Sequence, residues 1–165
     1  MTKLEVFFDY SCPFCRRGYN SFIELLPEYP EMTVVWCPCE AHPRPEKAGR
    51  HSDLCIRGMF FAAENGVDLS KYHQRMFALY HDDKIDVEDI DILAEALKDL
   101  LDAHNFCQAI NNGKYVKELQ DANDYAYEQS GVWVLPAFRM DGRKLDAMAG
   151  AGVTKEQLKD FLDQV

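Results

Sequence analysis

Two cysteines three residues apart, Cys12 and Cys15 in Cys12-Pro13-Phe14-Cys15, are the side chains of this chain best suited to covalent chemistry. The thiolate is the nucleophilic form of cysteine, and a free thiol ionises only near about pH 8.5. A helix N-terminus changes that balance. Its first N–H groups have no intrahelical partner and carry the positive end of the helix dipole, so they stabilise a thiolate. A second sulfur three residues on lies on the same turn, placed to attack a mixed disulfide formed at the first. The spacing points to dithiol–disulfide exchange, with Cys12 as an exposed nucleophile and Cys15 as the resolving thiol. Pro13 stiffens the turn, Phe14 offers a substrate an apolar surface, and Arg16 and Arg17 add positive charge. The other common use of such a pair is half of a structural zinc site, which needs a second matching pair.

A second feature sits far along the chain. Val134-Leu135-Pro136-Ala137-Phe138 places a proline inside a strand-like run, where its missing N–H is normally disfavoured. A cis Leu135–Pro136 bond would resolve the conflict in a tight turn; a trans proline at the first strand residue is the alternative. Cys37, Cys39, His42, His51 and Cys55 are all metal-ligand types, so a zinc- or copper-binding redox chaperone is a further reading. Cys37 and Cys39 sit at a strand end and need not converge with His51, so no metal site is assigned. Cys107 reads as a small apolar residue, and His73, His81 and His104 as surface or satisfied histidines.

The elements that must position the dithiol can be read from periodicity. Residues 3–9 read as a strand becoming buried on both faces, ending at Asp9. Pro13 suits a first helical turn, and a helix to about Leu26 would bury Tyr19, Phe22, Ile23 and Leu26. Residues 32–37 form a second strand, so the first third is a βαβ unit with a parallel pair. Pro38 to about Arg50 is a proline-rich loop. Helical stretches follow over 51–65, 70–80, 87–103 and 114–129, the third starting at Asp86 with Asp89 favouring its positive end. Strands return over Val132–Met140 and Lys144–Met148, joined at Asp141-Gly142, a hairpin signal. Thr154 with Gln157 is a capping box for a last helix burying Leu158, Phe161 and Leu162. The expected fold class is α/β: a thioredoxin-like fold with an all-helical insertion between βαβ and ββα halves. Residues 1–49 and 130–165 form the discontinuous thioredoxin-like domain, and 50–129 the insertion.

Composition narrows the function classes. The chain has 165 residues, 47% of them hydrophobic, enough for one packed domain. A formal net charge of −10 repels phosphate backbones, which argues against nucleic acid. No apolar run approaches the roughly 20 residues of a membrane span. The first residues lack the apolar stretch of an export signal, so the default expectation is cytoplasmic, a setting that favours reduction or isomerisation of disulfides.

The motifs also resemble a known family. Asp9-Tyr10-Ser11-Cys12-Pro13-Phe14-Cys15 resembles the active-site segment of the DsbA-like branch of the thioredoxin superfamily, particularly its FrnE-like members. Trp36-Cys37-Pro38-Cys39-Glu40-Ala41-His42-Pro43, Ser130 to Phe138 and Ala149-Gly150-Ala151-Gly152 resemble other segments of those proteins, and the insertion sits where theirs does. The resemblance implies that Cys12 attacks, Cys15 resolves, Pro136 lies against the dithiol, and Leu135 offers its backbone to an extended substrate. It implies protein thiols or disulfides, or glutathione as co-substrate, as partners, and no tightly held cofactor. Thioredoxins proper carry a buried acid six residues before the first cysteine; here that residue is Val6. Kappa-class glutathione transferases and 2-hydroxychromene-2-carboxylate isomerases share the fold but typically have serine where Cys12 stands. A glutathione-dependent isomerase or transferase is therefore the rival reading.

Overall fold

A computed structural model describes residues 1–47 and 49–164; Ala48, which falls within the stretch from Pro38 to about Arg50 expected to be a loop, and Val165 lie outside the described residues. Strands β1 (Thr2–Phe8) and β2 (Met32–Pro38) pair in parallel, with Thr2 opposite Met32 and Phe8 opposite Pro38. Helix α1 (Pro13–Leu25) makes the crossover and ends in a 3-10 turn, Leu26–Glu28. It buries Tyr19, Phe22 and Leu25, whereas Ile23 and Leu26 stay partly exposed. Strand β3 (Ala137–Met140) runs antiparallel to β1 and pairs with β4 (Arg143–Asp146), giving the order β2-β1-β3-β4. The central strand buries Leu4, Val6, Phe7 and Phe8, which explains its nearly unbroken apolar end. Asp141 and Gly142 both have positive φ, as a primed hairpin turn requires.

Between β2 and β3 lie α2 (Asp53–Glu64), α3 (Leu69–His81), α4 (Ile90–Leu97), α5 (Ala103–Asn111) and α6 (Val116–Asp124), the last running into a π turn, Tyr125–Gln129. The final helix, α7 (Lys155–Leu162), starts with the expected capping box between Thr154 and Gln157 and buries Leu158, Phe161 and Leu162. The result is the mixed α/β class expected, βαβ then helices then ββα. The helical block shares one apolar core with the sheet: Phe8 of β1 packs edge-on against His73 of α3 and tilted against Phe77. No helix among the described residues is long and apolar enough to cross a membrane.

Three boundaries differ from the sequence reading. The stripe over 87–103 is broken, because aspartates outcompete it: Asp89, not Asp86, caps α4, and Asp102 caps a separate helix, α5, that the periodicity did not reveal. The strand expected from Val132 begins only at Ala137, since Pro136 has no N–H for a ladder. The returning strand stops at Asp146, and Met148 forms only an isolated bridge to Gly152.

Candidate active site

The dithiol stands where β1 meets α1. Cys12 is itself the N-cap of α1, with extended backbone, and Pro13 takes the first helical position. A capping side chain normally offers an oxygen to the N–H of the third helical residue. Here a sulfur fills that place: the Cys15 N–H donates to Cys12 Sγ at 3.2 Å. The turn is closed from behind by the Cys12 N–H, which donates to the Asp9 carbonyl at 3.1 Å. Cys12 is half-buried and Cys15 buried, so only the first sulfur is open to a substrate, and less fully than the sequence suggested.

The two thiols titrate in opposite directions. Cys12 is held below its ordinary value, first by a hydrogen bond from the Cys15 thiol and then by the N–H groups of Cys15 and Phe14; burial and the charge of Asp9 work against this. Cys15 is pushed well above its ordinary value by burial, reinforced by its neighbour Cys12. Ionisation of the pair therefore falls first on Cys12 while Cys15 keeps its proton, the order a dithiol needs for attack.

The sequence marks Asp9 as the end of a strand and the first residue of the motif, with no role of its own. It is a fully buried carboxylate that accepts from the Ser11 N–H at 3.0 Å and from the Ala41 N–H at 2.7 Å. It ties the dithiol turn to the segment after β2; its charge opposes ionisation of both sulfurs, while its backbone favours ionisation of Cys15. Val6 is buried, so the acid next to this dithiol comes from the turn and not from within the strand.

The segment before β3 closes the other side. The Leu135–Pro136 peptide bond is cis. The Leu135 carbonyl lies 3.9 Å from Cys12 Sγ, and the Pro136 carbonyl accepts from the Ala147 N–H at 3.0 Å. Leu135 and Pro136 are buried, Pro13 is exposed, and Phe14 is half-buried. Phe14 packs beside Gly152 and under the Arg17 guanidinium, 5.2 Å from its ring centre. Its apolar face is thus partly spent on internal packing. Neither arginine is free: Arg17 donates to the Ala151 carbonyl, and Arg16 pairs with Asp82 of the helical block at 2.5 Å.

This geometry has many relatives. The DsbA-like thioredoxin domain family matches residues 3–163. The chain belongs to the DsbA-like thioredoxin domain family. A Bacillus subtilis relative, the uncharacterized protein YwbO, is 25% identical over 95% of this chain and 96% of its own length. A probable DsbA oxidoreductase of Streptomyces coelicolor superposes with a TM-score of 0.78 at 17% identity, covering 99% of this chain and 89% of the other. Bacillus subtilis BdbD gives 0.75 at 13%, covering 99% and 86%. At these identities the superpositions establish the fold.

The remaining cysteines of this DsbA-like chain sit in a different setting. Cys37 and Cys39 are buried at the end of β2, and burial pushes both up to about 12. Cys55 is fully buried in α2. His42 pairs with Glu46, and His51 with Glu88 and the Glu46 carbonyl. Among the described residues no group of three or more histidine, cysteine or acidic side chains is arranged to hold a metal. His81 bonds the Tyr10 carbonyl at 2.8 Å, a satisfied histidine. His73 departs from expectation. It is fully buried, joined to the Tyr10 hydroxyl through Nδ1 at 2.8 Å, and its Nε2 has no hydrogen-bond partner among the described residues. Burial pushes it down to about 3. A histidine on a helical stripe gives no sequence signal separating this state from a surface one.

Proposed function

We propose that this chain is a thiol–disulfide oxidoreductase in which Cys12 and Cys15 exchange two electrons with a disulfide in a polypeptide. The observation that carries the reading is the capping contact from the Cys15 N–H to Cys12 Sγ, which pairs a stabilised thiolate with a protonated neighbour. The Cys12 thiolate attacks one sulfur of the substrate disulfide. That S–S bond breaks, the second substrate sulfur leaves as a thiolate, and a mixed disulfide joins Cys12 to the substrate. Cys15 passes its proton to the departed substrate thiolate and attacks Cys12 Sγ; the S–S bond between Cys12 and the substrate breaks, and the sulfur first attacked leaves as a thiolate that takes a proton from water. The protein ends as a Cys12–Cys15 disulfide and the substrate as a dithiol; the reverse sequence oxidises a substrate.

A polypeptide fits better than a small thiol. Leu135 presents backbone beside Cys12 for strand-like pairing with an extended chain. Trp133 is 91% exposed two residues before it. Met148, 70% exposed, follows Ala147, whose N–H holds Pro136. Pro13 in the motif, with Trp133 and Met148 on the segments that carry Leu135 and hold Pro136, offers an unfolded substrate exposed apolar side chains.

The test is insulin disulfide reduction by wild type, Cys12→Ser and Cys15→Ser. Wild type should turn over, Cys12→Ser should be inactive, and Cys15→Ser should accumulate mixed disulfides. Turnover of a chromene substrate with glutathione, without insulin reduction, would reverse the reading in favour of a glutathione-dependent isomerase.

A further inference from the structure

The dithiol helix carries a glycine where a helix gains nothing from one. Gly18 lies mid-helix in α1, three residues after Cys15, and is buried. A glycine at such a site weakens the helix relative to alanine. What it gains is space: a Cβ on Gly18 would stand 3.0 Å from Pro136 Cγ and 3.7 Å from Pro136 Cβ. The first of these is tighter than nine in ten real Cβ contacts, so the helix or the proline ring would have to give by a few tenths of an ångström. The proline is tethered, because its carbonyl accepts from the Ala147 N–H. Leu135, whose carbonyl stands 3.9 Å from Cys12 Sγ, would move with it.

We propose that Gly18 is a positioning residue for exchange: its bare backbone is the seat on which Pro136 rests, and that seat sets the separation between Cys12 and the Leu135 backbone. The inference rests on the oxidoreductase reading and extends it to a residue outside the motif. Gly58 supplies the contrast. It too is a buried helical glycine, and a Cβ there would run into the Tyr72 hydroxyl, but it lies in α2 of the helical block. Crowding at Gly58 falls on Tyr72 and Phe106 in the helical block, whereas crowding at Gly18 falls on Pro136, next to the Leu135 carbonyl that faces Cys12.

The experiment compares wild type, Gly18→Ala, Gly58→Ala, Pro136→Ala and the Gly18→Ala/Pro136→Ala pair. Two rates are read for each reduced protein: exchange with a disulfide-linked peptide and alkylation of Cys12 by iodoacetamide. Gly18→Ala should lose about tenfold in peptide exchange, a fraction of what a 1 Å misplacement can cost. Its alkylation should stay within about twofold of wild type, because alkylation needs the thiolate and not the loop. Gly58→Ala should lower the melting temperature and leave exchange per folded molecule unchanged. Without the proline ring Gly18→Ala should cost little, so the pair should match Pro136→Ala. Wild-type exchange in Gly18→Ala, or an equal loss in both backgrounds, would overturn the proposal. If Gly18→Ala does not fold, recovery of folding in the pair supports the seat, and failure of the pair beside a folded Pro136→Ala overturns it. If wild type itself does not exchange, the oxidoreductase reading fails. The seat is then read from the carbon shifts of Pro136, which must move in Gly18→Ala and stay in Gly58→Ala.

Discussion

Two cysteine pairs lie within thirty residues of one another here, and the fold treats them in opposite ways. Cys12 and Cys15 open a helix, while Cys37 and Cys39 close a strand. At the helix, the cap position gives Cys12 Sγ a backbone donor and a thiol donor, and its titration drops. At the strand end, burial dominates for Cys37 and outweighs the Tyr127 hydroxyl at Cys39, and both rise to about 12. The lesson is that reactivity follows the unpaired amides at the helix start, and cysteine spacing matters because it decides which sulfur occupies the cap.

The sharpest way to break this comparison is to delete one sulfur from each pair. Cys12→Ser should remove exchange altogether, whereas Cys37→Ser should leave its rate within about twofold, because a buried, protonated thiol is no nucleophile. Loss of activity in both would mean that the strand pair takes part.

Burial silences His73 as it silences Cys39, and this has a pH consequence. His73 is pushed down to about 3 from its ordinary 6.5, so the unfolded chain binds a proton that the folded chain refuses. Its contribution to stability is intact above about pH 6.5 and is lost as pH falls from there toward 3, on the order of 5 kcal/mol in all. Urea unfolding of wild type and His73→Phe between pH 7 and 5 checks the sign: wild type should lose stability over this range more steeply than the variant.

Asp9 sharpens the contrast from the other side, since it is a charge that opposes the Cys12 thiolate. Asp9→Asn should move the Cys12 alkylation midpoint down. It should also cost about 1–3 kcal/mol of stability, because the Ser11 and Ala41 N–H groups address different oxygens of Asp9 and the amide replaces one of them with NH2. An upward midpoint would show that Asp9 acts on the pair in some other way.

Cys39→Ala is the mildest of the series. It should cost on the order of 1 kcal/mol through the small cavity left in the core, with the exchange rate retained.

How far the site was legible from sequence follows from the range of each interaction. Cys12, Pro13 and Cys15 announce themselves because N-cap, first-turn and third-residue roles are local, and the same holds for Thr154 with Gln157. The βαβ and ββα halves followed from apolar periodicity and turn residues. Asp9 was present in the motif, yet its partner Ala41 is 32 residues away, so its role as a tether was invisible. Gly18 was hidden for the same reason: its partner Pro136 arrives from the far end of the chain. The split between α4 and α5 was missed because Leu97, Leu100 and Leu101 continue an apolar stripe across the turn that Asp102 ends.

The most direct measurement is site-resolved alkylation of the cysteines as a function of pH, read by mass spectrometry on the native protein. Cys12 should react first, with a midpoint below the free-thiol value of about 8.5, while Cys15, Cys37, Cys39 and Cys55 stay protected until the protein unfolds. A Cys12 midpoint at or above that value, or earlier reaction at Cys37 or Cys39, would contradict a thiolate held by the first turn of α1.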